Sequence, residues 1–102
     1  MTRDSFKDFV LDQLREMRGV TARSMFGGYG LYWGEVFFGI IHKGRLYFKT
    51  DDDSRDEYTT RGMKPFRPSA KQTLKQYYEL PADILEDSEQ LTAWAQQAVK
   101  AR

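Results

Sequence analysis

The chain has no cysteine and a single histidine, His42, among its 102 residues. The first absence excludes disulfides, thiolate metal sites and a cysteine nucleophile. The second excludes a multi-histidine metal centre, and His42 stands beside a turn, where a histidine is usually passive. Charge of one sign is lacking too: sixteen basic residues face fifteen acidic ones, for a net charge of +1. No global field therefore draws the chain to nucleic acid or a membrane surface. No apolar run approaches the roughly 20 residues of a membrane helix. Arg3, Asp4, Lys7, Asp8 and Asp12 interrupt the N-terminal stretch, so it does not read as a secretory signal. A cytoplasmic protein with no membrane partner is the expectation.

What is present suffices for a packed core: 40% hydrophobic and 15% aromatic residues argue against disorder, and the length fits a single domain over residues 1–102. Phe6, Phe9, Val10, Leu14 and Met17 recur at helical spacing over residues 4–18, with Asp4 or Ser5 as cap and Gly19 as stop. A short strand near Thr21 to Phe26 leads to Gly27-Gly28. This glycine pair could cradle a phosphate, but the lysine and hydroxyl of a phosphate loop are missing and Leu31-Tyr32-Trp33 reads as strand. A sharp bend between strands is the better reading.

Gly34-Glu35 and Lys43-Gly44 each suit a two-residue hairpin. Counting outward from both turns places Gly30 opposite Gly39 and Gly39 opposite Phe48. Alternation then sorts the side chains. One face carries Gly30, Tyr32, Phe37, Gly39, Ile41, Leu46 and Phe48; its glycines leave room for a covering element, so it is expected to be the helix-covered core. The other carries Tyr29, Leu31, Trp33, Val36, Phe38, Ile40 and Tyr47, with Arg45 and Lys49 at its margin. Both faces are apolar, which a half-solvated sheet should not be. The second face, represented by Tyr29, Leu31, Phe38, Ile40 and Tyr47, is therefore expected to be a partner or dimer surface. A twofold homodimer is the simplest assembly.

The acid run Asp51-Asp52-Asp53 opens a second helix that stops at Gly62, and it lacks the spacing of a calcium loop. Arg61, Lys64, Arg67, Lys71 and Lys75 follow with no acid among them. Pro65 and Pro68 make the early part of this strip a loop before a strand over Gln72 to Leu80. Such a strip is a candidate nucleic-acid contact, with Tyr29, Tyr47, Arg45 and Lys49 as its companions on the sheet. Pro81 ends that strand. Ser88 can cap a last helix, whose buried stripe is Leu91, Trp94, Ala95, Ala98 and Val99, with Lys100 and Arg102 at its end. The fold expected is α+β: an antiparallel sheet of about four to five strands with helices packed mainly on one face. Nothing points to an enzyme: the serines lack a nucleophile elbow, and no base stands near Ser24 in sequence. No catalytic residue, metal or cofactor is expected.

Arg23-x-Met25-Phe26-Gly27-Gly28-x-Gly30-Leu31-Tyr32, followed by Leu46-Tyr47-Phe48-Lys49, Pro65-Phe66, Tyr77-Tyr78-x-Leu80-Pro81 and Trp94-Ala95, resembles the N-terminal domain of the TfoX/Sxy family. Its motif residues here are Arg23, Met25, Phe26, Gly27, Gly28 and Gly30. The family is named for regulators of natural competence whose longer members carry a second, C-terminal domain; the resemblance implies a stand-alone form of the first. It also implies regulation through protein contact, with a transcription-regulatory protein as partner. Two other readings stand beside it: a nucleic-acid-binding domain, and a small-molecule pocket at Gly27-Gly28 with Arg23.

Overall fold

The computed structural model describes residues 5–25 and 27–101. Asp4, Phe26 and Arg102, singled out above, lie outside them. The elements run α1 (Ser5–Gln13), β1 (Val20–Met25), β2 (Gly28–Trp33), β3 (Val36–His42), β4 (Arg45–Lys49), α2 (Asp52–Thr60), β5 (Pro65–Ser69), β6 (Gln72–Glu79), α3 (Ala82–Leu85) and α4 (Ser88–Lys100). The strands form one antiparallel sheet in the order β1-β2-β3-β4-β6-β5. The α+β expectation holds, with six strands where four to five were expected. The extra one is β5, in the stretch whose prolines suggested a loop. Proline cannot donate to a ladder, but β5 is the sheet's outer strand and leaves that requirement on one side only.

The hairpins behave differently. At Lys43-Gly44 both residues have positive φ (51° and 73°), and His42↔Arg45 counts out to Gly39↔Phe48 as expected. At Gly34, φ is 60° and Trp33↔Val36 and Tyr32↔Phe37 also follow. The register then slips, so that Leu31 faces Gly39, Gly30 faces Ile40 and Tyr29 faces Ile41. Gly30 does not face Gly39. Phe38 is the inserted residue of a β-bulge, and it shares the Leu31 position with Gly39. The chain accepts this because Gly39 has no side chain. A Cβ there would stand 3.1 Å from Phe48 Cδ1, 3.1 Å from the Tyr47 carbonyl and 3.2 Å from Leu31 Cδ1.

One extra residue exchanges the faces on the β2 side of the bulge. The helix-covered face carries Val20, Ala22, Tyr29, Leu31, Phe38, Ile41, Leu46, Phe48 and Tyr78, and these pack with Val10, Tyr58, Ile84, Leu91 and Ala95 from the four helices and with Leu14 just past α1. Leu31 and Phe38 are both 0% exposed. Burying such side chains is worth about 1.5–3 kcal/mol each. Gly30, Tyr32 and Phe37, expected on the covered face, belong to the opposite one.

That opposite face has its own small core of Ile40, Tyr47 and Phe66, flanked by Phe37, Leu74 and Tyr77. Two strand spacings would hold β5 about 10 Å from β4 in a flat sheet. Yet the Phe66 ring lies 4.6 Å from Tyr47 and 5.3 Å from His42 on β3. The β5–β6 hairpin therefore curls over the face, helped by two register shifts between its strands. A hairpin of the chain itself covers Ile40 and Tyr47, where a second chain was expected.

Polar contacts fix the joints. Thr50, fully buried, donates its backbone N–H (2.6 Å) and hydroxyl (2.9 Å) to the Gln76 carbonyl and accepts from Arg55 Nε at 3.0 Å. Asp51 caps α2 through a reciprocal pair of bonds with Ser54. The cap of α4 is Asp87 rather than Ser88, whose hydroxyl instead donates to the Gln13 carbonyl at 2.9 Å and ties α4 to α1.

Two predictions follow from these contacts. Gly39→Val should lose about 1–3 kcal/mol by overpacking, read as a lower midpoint in urea with unchanged slope; a wild-type midpoint would refute the bulge assignment. The second concerns pH. The Ser54 backbone N–H, foremost, and its hydroxyl hold the Asp51 carboxyl below its usual range. A depressed pKa gives stability that is present above the unfolded value of about 3.9 and is lost as pH falls through the folded value. Asp51→Ala should thus melt below wild type at pH 7, and the difference should close in strong acid. A pH-independent difference would contradict the cap.

Candidate interaction surface

The curled hairpin does not reach the whole of its face. Towards β1, a row of half-buried rings remains open to solvent: Tyr32, Phe37 and Tyr77, with centroids 5.2 Å and 5.5 Å apart. The Arg23 guanidinium lies over Tyr32, 4.3 Å from its centroid, and closes the row as a cation–π contact. Pairing explains the alignment. Arg23 faces Gly30 across β1–β2, Tyr32 faces Phe37 across β2–β3, and Tyr77 stands opposite Lys49 on β4. Burial, and next the neighbouring Tyr32, raise the Tyr77 phenol above its usual pKa.

Gly30 is the floor beneath Tyr32 and Phe37. A Cβ there would meet Met25 Sδ at 2.8 Å, Phe37 Cε1 at 2.9 Å and Tyr32 Cε1 at 3.2 Å. Three motif residues, Arg23, Met25 and Gly30, thus converge on the open strip. The other two described ones shape the bend: Gly27 turns with φ 77°, and a Cβ on Gly28 would run into the Ile41 carbonyl. The Cβ side of Gly28 is filled by the β3 backbone, whereas a Cβ on Gly27 would meet nothing within 4 Å.

The surface expected from the sequence is divided. Leu31 and Phe38 lie in the helix-covered core, Tyr29 is half-buried on that same side, and Ile40 and Tyr47 are under Phe66. Burial, foremost, and then Glu79 raise the Tyr47 phenol's pKa, in keeping with its cover. Four of the five are buried, and Tyr29, half-buried on the helix side, has Lys7 over its ring at 5.0 Å. Tyr32, Phe37 and Tyr77 were missed because counting without the bulge put the first two inside. Only the adjacency of Phe38 and a mid-strand glycine hinted at it.

The basic strip is not gathered onto the aromatic row. Arg61 leaves it for the helices, 5.3 Å over the Trp94 ring and 3.4 Å from Asp83. Arg67 and Lys75 are exposed, next in sequence to the covered Phe66 and Leu74, so alternation turns them outward from the curl. Lys64 and Lys71 are exposed at the ends of β5. Arg45 is engaged by Glu79 at 2.9 Å.

Two grooves lie on the helical side, away from this strip. One, of about 510 Å³, runs between α2 and α4 and is lined by Lys49, Asp53, Glu57, Tyr58 and Trp94. The other, of about 700 Å³, is lined by Met17, Trp33 and Val99. Among the described residues no group of three or more metal-ligating side chains is clustered, and no helix is long and apolar enough to cross a membrane.

Comparison with protein families matches residues 12–102 to the TfoX N-terminal domain. No curated protein matches the chain. The match spans nearly the whole chain and takes in Arg23, Met25, Gly27, Gly28 and Gly30, the residues that shape the bend and the floor of the strip. The chain belongs to the TfoX N-terminal domain family.

Proposed function

We propose that this domain is a non-enzymatic regulatory module of the competence-regulator type, working in the cytoplasm by contact with a transcription-regulatory protein through the strip Arg23–Tyr32–Phe37–Tyr77. One observation carries the reading: the rings are aligned and half-open on the face that no helix among the described residues covers. Rigid aromatic groups with an arginine at one end are the composition of protein-contact hot spots. Family membership supports the regulatory class.

Tyr32→Ala and Tyr77→Ala should each leave the circular dichroism spectrum unchanged and each weaken a transcription-regulatory partner by about thirtyfold, from about 2 kcal/mol per hot-spot contact. Unaltered capture of that partner would contradict the assignment. Nucleic acid is the other arm of the test. Fluorescence anisotropy at about 150 mM salt should show no duplex or single-stranded DNA binding tighter than the micromolar non-specific range. A nanomolar complex, abolished by alanine at Lys64, Arg67, Lys71 and Lys75, would replace the protein-contact reading.

A further inference from the structure

The two edges of the sheet are unlike. β5 is protected from further pairing by Pro65, Pro68 and two register shifts, which are common means of blunting an edge. β1 has none of these. Its six residues, Val-Thr-Ala-Arg-Ser-Met, pair with β2 in an unbroken register, and among the described residues β2 is its only strand neighbour. Its one charge, Arg23, leans inward over Tyr32 instead of guarding the edge. Such a strand offers a row of unpaired backbone groups to an added strand.

We infer that β1 pairs with β1 of a second copy of this chain, antiparallel and centred on Ala22, joining two sheets into one. The commitment to a second copy rests on self-complementarity. A twofold axis perpendicular to the sheet keeps each face on its own side, so only residues of one face can stand opposite each other. Centring on Arg23 would set two arginines face to face, which is unfavourable. Centring on Ala22 sets Ala22 against itself, Thr21 against the second copy's Arg23 on the open face, and Val20 against its Ser24 on the helix face. No like charges meet directly. Because β5 is blunted, the pairing closes at two copies instead of growing into a fibre. The net charge of +1 adds little repulsion. Both aromatic strips then lie on one continuous side, running outward from the axis.

Charge at Thr21, an exposed position, tests this with a sign. By analytical ultracentrifugation from 5 to about 200 µM, the wild type should show concentration-dependent dimerisation, as suits a small interface. Thr21→Asp places a carboxylate opposite Arg23 twice and should tighten the dimer by roughly two- to thirtyfold. Thr21→Arg should loosen it by a similar factor. The absence of cysteine gives a second readout that fixes the register. Oxidised mixtures of Thr21→Cys and Arg23→Cys protein should cross-link, whereas either alone should not, because identical positions then lie beyond the ~7 Å Cα limit of a disulfide. A monomeric wild type at all concentrations overturns the proposal and leaves β1 to a strand from another protein. A dimer insensitive to both Thr21 substitutions, or cross-linking equally well from single variants, also overturns it.

Discussion

The bulge at Phe38 is the constraint on which the rest of the structure depends. Phe38 and Gly39 both lie opposite Leu31, and Gly39 makes this possible by leaving its share of the space to Phe48 and Leu31. From that single inserted residue follows the sorting of β2: Leu31 turns to the helices, while Gly30 and Tyr32 turn to the other side. Without it, Tyr32 would turn to the helices and Leu31 to the other side.

A sheet apolar on both faces must be covered twice. Here the helices serve one face, and the chain's own β5–β6 hairpin serves part of the other by curling until Phe66 meets Tyr47 and His42. The cover is partial, and what it leaves is specific: three rings in line, two of them resting on Gly30, closed by Arg23. The family-motif residues therefore have physical roles. Gly27 makes the turn, Gly28 admits the β3 backbone, and Gly30 with Met25 supports the rings.

Much of this was legible in the residues. The periodicity of α4, the two-residue turns at Gly34 and Lys43-Gly44 and the acid-rich start of α2 each rest on local chemistry that neighbouring residues report. Helix α1 was legible in part, since it stops at Gln13 instead of near residue 18 and leaves Phe9 exposed. The family was readable from the glycine block. The bulge was not, because a register slip saves no local interaction that spacing can reveal; it is decided by how Phe38 packs against Phe48 across the sheet. The curl of β5 was hidden for a related reason. Two prolines argue against a strand until one knows that the strand is an edge. Both misses fell on tertiary contacts, and both moved the candidate surface, from Leu31 and Phe38 to Tyr32, Phe37 and Tyr77.

The most direct test of the account compares two substitutions, one on each face of the sheet. Phe38→Asp buries a carboxylate beneath the helices, whereas Tyr32→Asp places one at the solvent edge of the strip. Thermal unfolding followed by circular dichroism should find no cooperative transition for Phe38→Asp, since an unpaired buried charge costs more than a small domain has to spare. Tyr32→Asp should unfold cooperatively, within several degrees of wild type. A folded Phe38→Asp protein beside an unfolded Tyr32→Asp one would show that the faces are assigned the wrong way round.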